Sequence, residues 1–370
     1  MINVLSLVSY KFLPPKMGGQ KGIALFYQYF SRHVQLSCIT TESNDPAYAS
    51  GYELINRLSN SALRYVNIFY FFSLRKLIRQ KKITHFLLEH PYFGWLGIML
   101  KTFTGVKLVV HSHNIEGLRW KSLGKWWWRI LWQYEKLVHC CADHSFFIQE
   151  ADRQYAIREF GLRPERCSVA NYGIGISQPP SPTEKQKARQ YLQQKHNISP
   201  DRLVLLFNGA FGYSPNLEAL HHIIRDINPL LQQEALDYTI LICGKDIPES
   251  IIAANPPNMI FAGFVDDIDP YFQGSDIFLN PVNSGGGIKT KLVEALGNNM
   301  NAVSSVNGAE GIDPAICGGK LVLAGNTDWP AYVKAVLQLQ HNNTPMPASF
   351  YKQFYWGTIT ADAAAAMHSL

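Results

Sequence analysis

Short apolar runs alternate along the whole chain with stretches whose apolar residues recur at helical spacing. Residues 2–8 read as a buried strand, followed by the loop Tyr10-Lys-Phe-Leu-Pro-Pro-Lys-Met-Gly-Gly19 and a helical stretch to about Arg32. Residues 34–40 read as a second strand. The region 60–82 reads as helical, with a basic end at Arg75, Lys76, Arg79, Lys81 and Lys82. Then come a strand at 83–88, the loop Glu89-His-Pro91, a helix near 93–103, and strands at 107–110 and 145–148, the last with a helix after it. The segment Ile176-Ser-Gln-Pro-Pro-Ser-Pro-Thr183 reads as a linker, because Pro179, Pro180 and Pro182 continue neither strand nor helix. A second alternation starts beyond it. It has strands at 203–207, 238–243, 259–261, 276–280 and 302–305, a helix from about Asn216, and a glycine loop entering a helix at 288–298. Strand–helix alternation, met twice, predicts two parallel α/β layers in tandem. Ligands of such sheets bind beyond the carboxyl ends of the strands, and a gap between two domains is the default site.

Composition agrees. A chain of 370 residues suits two domains of ~150 residues each. With 47% hydrophobic and 17% charged residues it fills large cores, which excludes a disordered or fibrous chain. The formal charge of +6 suits an anionic ligand, a nucleotide or a membrane surface, but without a dense basic tract it does not point to nucleic acid. Six cysteines without a Cys-x-x-Cys spacing suit neither zinc nor a disulfide scaffold, and read as reduced core residues. The chain opens Met-Ile-Asn-Val-Leu-Ser-Leu-Val, with no basic segment and no small-residue cleavage site. No uncharged apolar run reaches the ~18 residues of a membrane span. A cytoplasmic protein, soluble or peripheral to a membrane, is expected.

The strongest local pattern is Asn280-Pro-Val-Asn-Ser-Gly-Gly-Gly-Ile-Lys-Thr-Lys-Leu-Val-Glu-Ala-Leu296. A strand ends, glycines bring the backbone close, and a helix begins whose free N–H groups and dipole favour an anion. Lys289 and Lys291 in its first turn oppose the dipole, a small cost that an anion removes. Glu294 lies three residues after Lys291 on the same face and is able to accept both hydroxyls of a ribose. An ordinary loop carrying a solvated lysine–glutamate pair reads the same residues equally well. Asp266-Asp-Ile-Asp269, before Pro270, reads as a helix cap rather than a metal site. No metal site is expected.

This segment, followed by Gly308-Ala-Glu-Gly-Ile312, resembles the donor-binding segment of glycosyltransferase family 4, retaining enzymes of the GT-B fold. The resemblance runs through Pro14-Pro15 with Gly18-Gly19, His111-Ser-His-Asn-Ile-Glu116, Asn171-Tyr-Gly173, Gly209 with Ser214-Pro-Asn216, Gly263-Phe-Val265 and Phe354-Tyr-Trp-Gly357. It implies an α/β GT-B protein of two doubly wound Rossmann-like domains facing across a cleft. Residues 1–175 would form the acceptor side, 176–355 the nucleotide-sugar side, and 356–370 a final helix packing back on the first domain. The implied activity is metal-independent, cofactor-free transfer of a sugar from a nucleoside diphosphate sugar to a hydroxyl of a glycan or lipid-linked acceptor, in polysaccharide or glycan biosynthesis. By the same resemblance Glu294 binds the ribose, Lys289 and Lys291 lie by the diphosphate, and Phe264 and Val265 lie at the base. Gly18 and Gly19 close over the phosphates, and His113 lies at the reaction centre. Gly209, Gly285, Gly286, Gly287, Ile288 and Thr290 complete the donor site.

The chain departs from the family in two places. The first of two family glutamates falls at Gly286, and Asn208-Gly-Ala-Phe-Gly-Tyr213 lacks the family's arginine and lysine. A sugar-nucleotide epimerase on a similar fold and a binding module without catalysis are the alternatives. Among other residues, Glu89 and His90 follow a strand on the same side and are candidates for acceptor contact, or a loop set by Pro91. His111 reads as structural, and Glu116 as pairing with Arg119 rather than orienting His113. Five of the eight tryptophans, Trp120, Trp126, Trp127, Trp128 and Trp132, lie among cations in 119–132. That stretch reads as a helix packed on its domain or as a membrane-surface face.

Overall fold

The structure is a computed structural model that describes residues 2–16 and 18–370. The chain forms two compact units: residues through Gly175 with Phe354–Leu370, and Ile176–Gln353. In the first, seven parallel strands order as β3-β2-β1-β4-β5-β6-β7. They are β1 Asn3–Val8, β2 Gln35–Thr41, β3 Glu53–Leu58, β4 His85–Glu89, β5 Lys107–Ser112, β6 His144–Phe147 and β7 Cys167–Val169. In the second, six parallel strands order as β10-β9-β8-β11-β12-β13. These are β8 Leu203–Asn208, β9 Tyr238–Cys243, β10 Met259–Gly263, β11 Ile277–Asn280, β12 Asn301–Ser305 and β13 Leu321–Ala324. Both are doubly wound sheets, and each reverses its winding beside its own first strand, at β1/β4 and at β8/β11.

Parallel sheets are covered on both faces, so their central strands are largely apolar. The hexapeptide Tyr-Thr-Ile-Leu-Ile-Cys of β9 is wholly buried. One core joins Leu5, Leu7, Phe86, Leu88 and Leu108 to Leu74, Leu96 and Val138 of the covering helices. The other joins Leu205, Phe207, Ile240 and Ile277 to Leu220, Ile223 and Val336.

Four features depart from the sequence reading. The short strands β3, β7 and β13 went unforeseen. The expected linker ends early, at Ser181, whose hydroxyl caps the helix Pro182–His196 in a reciprocal pair with Glu184. Pro182 occupies the first helical position, where its missing N–H costs nothing. The helical region 60–82 is a short 3-10 turn, Ala62–Val66, and a helix, Phe69–Gln80. All six cysteines are free, but Cys140 is exposed rather than in a core.

The last helix, Trp356–His368, belongs to the first unit and lies against the helix Gly18–Phe30. The Trp356 ring meets Phe26 and Tyr172, and Ile174 pairs with Tyr355.

Candidate functional site

In the second unit, the loops after β8 and β11 flank the point where strand order reverses. The two loops touch. A Cβ on Gly285 would lie 2.7 Å from Tyr213 Oη, and Ser284 Oγ donates to Glu218 Oε2 at 2.7 Å. Gly244, at the end of β9, has φ +148, and a Cβ there would sit 1.7 Å from the Gly209 carbonyl oxygen, so only glycine fits.

Gly285 and Gly287 take φ of +80 and +78, the left-handed region that favours glycine. The N–H groups of Gly285, Gly286, Gly287 and Ile288 donate to nothing among the described residues. The helix Thr290–Gly297 starts directly after them with no side-chain cap. Its partial positive end and the bare amides form one anion-attracting surface.

Lys289 Nζ turns back and donates to the carbonyls of Gly285 and Gly287 at 2.7 and 2.8 Å, bracing the loop. Burial lowers its pKa, against the pull of Glu310. Lys291 Nζ lies 2.7 Å from Glu294 Oε2, the lysine more exposed than the carboxylate. A Cβ on Gly286 would meet nothing within 4 Å, so the missing family carboxylate is not excluded by crowding. Phe264, after β10, is 70% exposed; Val265, Ile288 and Thr290 are half-buried. Asp267 Oδ1 accepts from Asp269 N at 3.0 Å, but the N-cap position of the helix Asp269–Gly274 falls on Ile268, which gives no side-chain cap.

In the first unit the reversal lies between β1 and β4, and here the chemistry is in side chains. Strand β4 ends in Glu89, and parallel register sets Glu89 opposite His111 on β5. The period of two then brings His113 to the same face. Glu89 Oε2 lies 2.8 Å from His113 Nε2 and 3.2 Å from His111 Nδ1, with the carboxylate fully buried.

Beside this trio lies a second acid–imidazole pair. Glu116 Oε1 is 3.2 Å from His90 Nδ1, an ion-pair distance without hydrogen-bond alignment. Glu116 Oε2 accepts from Tyr92 Oη at 2.6 Å and from Arg119 Nη1 at 3.2 Å. Tyr10 Oη lies 3.0 Å from His90 Nε2. His90 itself has φ +66 and ψ +157, a backbone region nearly confined to glycine, and such strain concentrates at functional sites. Glu135, buried, accepts from the N–H groups of Glu116 and Gly117 at 2.9 Å each and so caps the helix Glu116–Ser122.

Burial works against the charge on Glu89, yet His111 and His113 outweigh it and hold the carboxyl below its usual range. Burial and the neighbouring His90 push His113 down to about 4. For Glu116, burial is outweighed by His90, Tyr92 and Arg119, and its pKa falls to about 2. Glu135 is pushed up to about 8 by burial, against the two amides it accepts from. Glu89, His111 and His113 offer ligand atoms within 4.8 Å of one another, a donor set able to take a transition-metal ion. The carboxylate is, however, already engaged by both imidazoles.

Gly18 and Gly19 open the helix Gly18–Phe30, and a Cβ on Gly19 would meet nothing within 4 Å. Met17, in the same loop, lies outside the described residues.

A family model described as Glycosyltransferase Family 4 matches residues 18–178, and one described as Glycosyl transferases group 1 matches residues 202–342. The first unit thus carries a family 4 glycosyltransferase domain and the second a group 1 glycosyltransferase domain. Its fold is GT-B, with two Rossmann-like domains. An uncharacterized 44.6 kDa protein in the cps region of Klebsiella pneumoniae is 28% identical over 159 residues, 40% of each chain, so the match spans well under two thirds of that relative. Anabaena Alr3699/HepE, solved in complex with UDP, superposes with a TM-score of 0.70 at 15% identity, covering 100% of both chains. A putative UDP-N-acetylglucosamine 2-epimerase from Listeria monocytogenes superposes with a TM-score of 0.60 at 14% identity, over 100% of this chain and 96% of that one. At these identities the superpositions establish the fold alone.

Sequence reasoning placed Glu89, His90 and His113 of this glycosyltransferase-like chain at strand ends but missed what joins them. Glu116 pairs with Arg119, as read, and also with Tyr92. His111, read as structural, shares Glu89 with His113. Tyr10, Tyr92 and Glu135 were not singled out. The signal was available: two apolar runs, Phe-Leu-Leu and Leu-Val-Val, each end in ionisable residues. In the 119–132 stretch, Trp120, Trp127, Trp128 and Trp132 are half-buried, with Lys121 and Arg129 against the Trp128 ring. Trp126 stands 83% exposed, near Leu123 and Ile130 in sequence, both exposed. Among the described residues no helix is long and apolar enough to cross a membrane.

Proposed function

We propose that the chain transfers a sugar from a nucleoside diphosphate sugar to an acceptor hydroxyl, with retention at the anomeric carbon, in the synthesis of a polysaccharide or glycan. The observation that carries this reading is the row of unpartnered N–H groups at 285–288 leading into an uncapped helix at a topological switch point. A diphosphate suits those donors. The bond from the anomeric carbon to the phosphate oxygen breaks, and its electron pair leaves with the diphosphate. The acceptor oxygen bonds to the same face of the sugar and its proton passes to the departing phosphate oxygen. Bare amides, the helix end and Lys291 stabilise the charge that develops there, without a metal ion, while Lys289 keeps the loop in shape. Glu294 takes the ribose hydroxyls, and Phe264 and Val265 flank the base. His113 serves the transferred sugar, with His90 on the acceptor side; Glu89, its carboxylate buried against His111 and His113, does not meet the acceptor.

A lipid-linked acceptor fits the exposed Leu123, Trp126 and Ile130 with their cations Lys121, Lys125 and Arg129. Co-sedimentation with phosphatidylglycerol vesicles, lost in Trp126→Ser/Ile130→Ser, tests that part.

Calorimetric titration with UDP, ADP and GDP tests the donor side, because the Anabaena relative was solved with UDP. At least one should bind in the micromolar range and weaken in Glu294→Ala. No binding of any at millimolar concentration removes the reading. The missing carboxylate at Gly286 favours a second reading, a nucleotide-sugar-binding module without turnover. Donor hydrolysis and transfer, both absent despite tight binding, would select it. Isomerisation without an acceptor would select an epimerase.

A further inference from the structure

We infer that Glu89 is a positioning residue that fixes His113 as the tautomer protonated on Nε2, so that Nδ1 presents a lone pair to a hydroxyl of the sugar or its acceptor. The use of that lone pair rests on the function proposed above; the tautomer does not.

The argument starts from the fold. Glu89 is the last residue of a fully buried strand, and its carboxylate has no route to water. A buried carboxylate persists only with donors around it. The parallel register supplies His111 directly opposite and His113 one strand period further on. An ionised carboxylate only accepts, so at 2.8 Å the proton between Glu89 Oε2 and His113 Nε2 belongs to the imidazole. A neutral imidazole has one proton to give, and once Nε2 holds it Nδ1 is an acceptor. Among the described residues no donor reaches His113 Nδ1.

His111 keeps the carboxylate from following His113 if the latter rotates, since Glu89 Oε1 is 3.2 Å from His111 Nδ1. The outcome is a directional preference. A ligand hydroxyl donates to Nδ1, whereas an ether or a deoxy position at the same place gains nothing. Had His113 been doubly protonated, the same position would favour an anion.

The test is long-range proton–nitrogen correlation on protein labelled with 15N-histidine, near neutral pH and without substrate. His113 is assigned by its loss in His113→Gln. The expected wild-type spectrum shows Nε2 protonated and Nδ1 bare. Glu89→Gln, whose carbonyl still accepts, keeps that pattern; Glu89→Met, which cannot accept, gives a mixture. His139, held between Ser112 and Ser145 in the same sheet, reports in each spectrum whether the core is intact. With a donor in hand, Glu89→Met lowers kcat about tenfold or more, the loss of one hydrogen bond, with little change in KM, and Glu89→Gln recovers most of it. A protonated Nδ1 in the wild type, or an unchanged tautomer in Glu89→Met, overturns the inference. So does a shift of His111 and His113 together to metal-bound values on adding Zn2+, which would make the trio a metal site. The expected spectra without nucleotide binding would leave the tautomer standing and remove the proposed function alone.

Discussion

The two sheets reverse their winding in the same way, yet what they offer at that point differs in substance. After β11 the chain offers backbone: bare amides shaped by two left-handed glycines, with Lys289 bracing their carbonyls. After β4 and β5 it offers ionisable side chains, largely buried and held by one another. A backbone site needs conformational freedom and little burial. A side-chain site needs partners for every charge, and brings networks such as Glu116 with His90, Tyr92 and Arg119. The first suits a ligand whose charge is fixed, the second a ligand whose hydroxyls must be told apart.

The comparison breaks most sharply at Gly285. Gly285→Val forces a β-branched residue to φ +80 and drives its Cβ toward Tyr213, so stability should fall by about 1–3 kcal/mol. Nucleotide affinity should drop by more than tenfold; thermal melts and calorimetry read the two. Next comes Glu135. Its folded pKa of about 8 lies above its ordinary value, so the folded state binds the extra proton. Wild-type stability should therefore decline as pH rises from about 4.5 to 8, by up to ~1.4 kcal/mol per unit for this group. Urea melts of Glu135→Gln should lose that slope. Glu116, lowered to about 2, has the opposite sign, and its contribution disappears as pH falls from about 4.5 to 2. Lys291→Ala should weaken diphosphate binding about tenfold, and less at high salt, since it removes one partly exposed charge. Gly286→Ala should do least, within about 0.5 kcal/mol, because its Cβ points into open space at an ordinary φ. If it instead abolishes binding, the loop carries its ligand closer than the amides suggest.

Much of the fold was legible, because strands covered on both faces must be apolar from end to end and stand out as runs. The edge strand β3, Glu-Leu-Ile-Asn-Arg-Leu, is mostly uncovered and so carries no such run. The helix Pro182–His196 buries only Ala188 and Leu192, leaving no apolar stripe to read, and its opening proline resembled a breaker. The glycine loop was legible for a local reason, since its residues are consecutive. The trio Glu89, His111 and His113 was not, because its members meet through strand register, which no local spacing encodes. Lys289 shows the limit within a motif: its charge was plain, but its turn back onto the loop's carbonyls depends on the loop's own shape.

The helix Trp356–His368 has a consequence for the order in which the molecule is made. On a ribosome, Ile176–Gln353 emerges as an uninterrupted stretch with its own core. The unit begun earlier must wait for the segment from Phe354 onward before Phe26 and Tyr172 receive the Trp356 ring. Until then the rings of Phe26 and Tyr172 lack that partner. A chain cut before Trp356 would lose a helix from the portion translated first and leave Ile176–Gln353 whole.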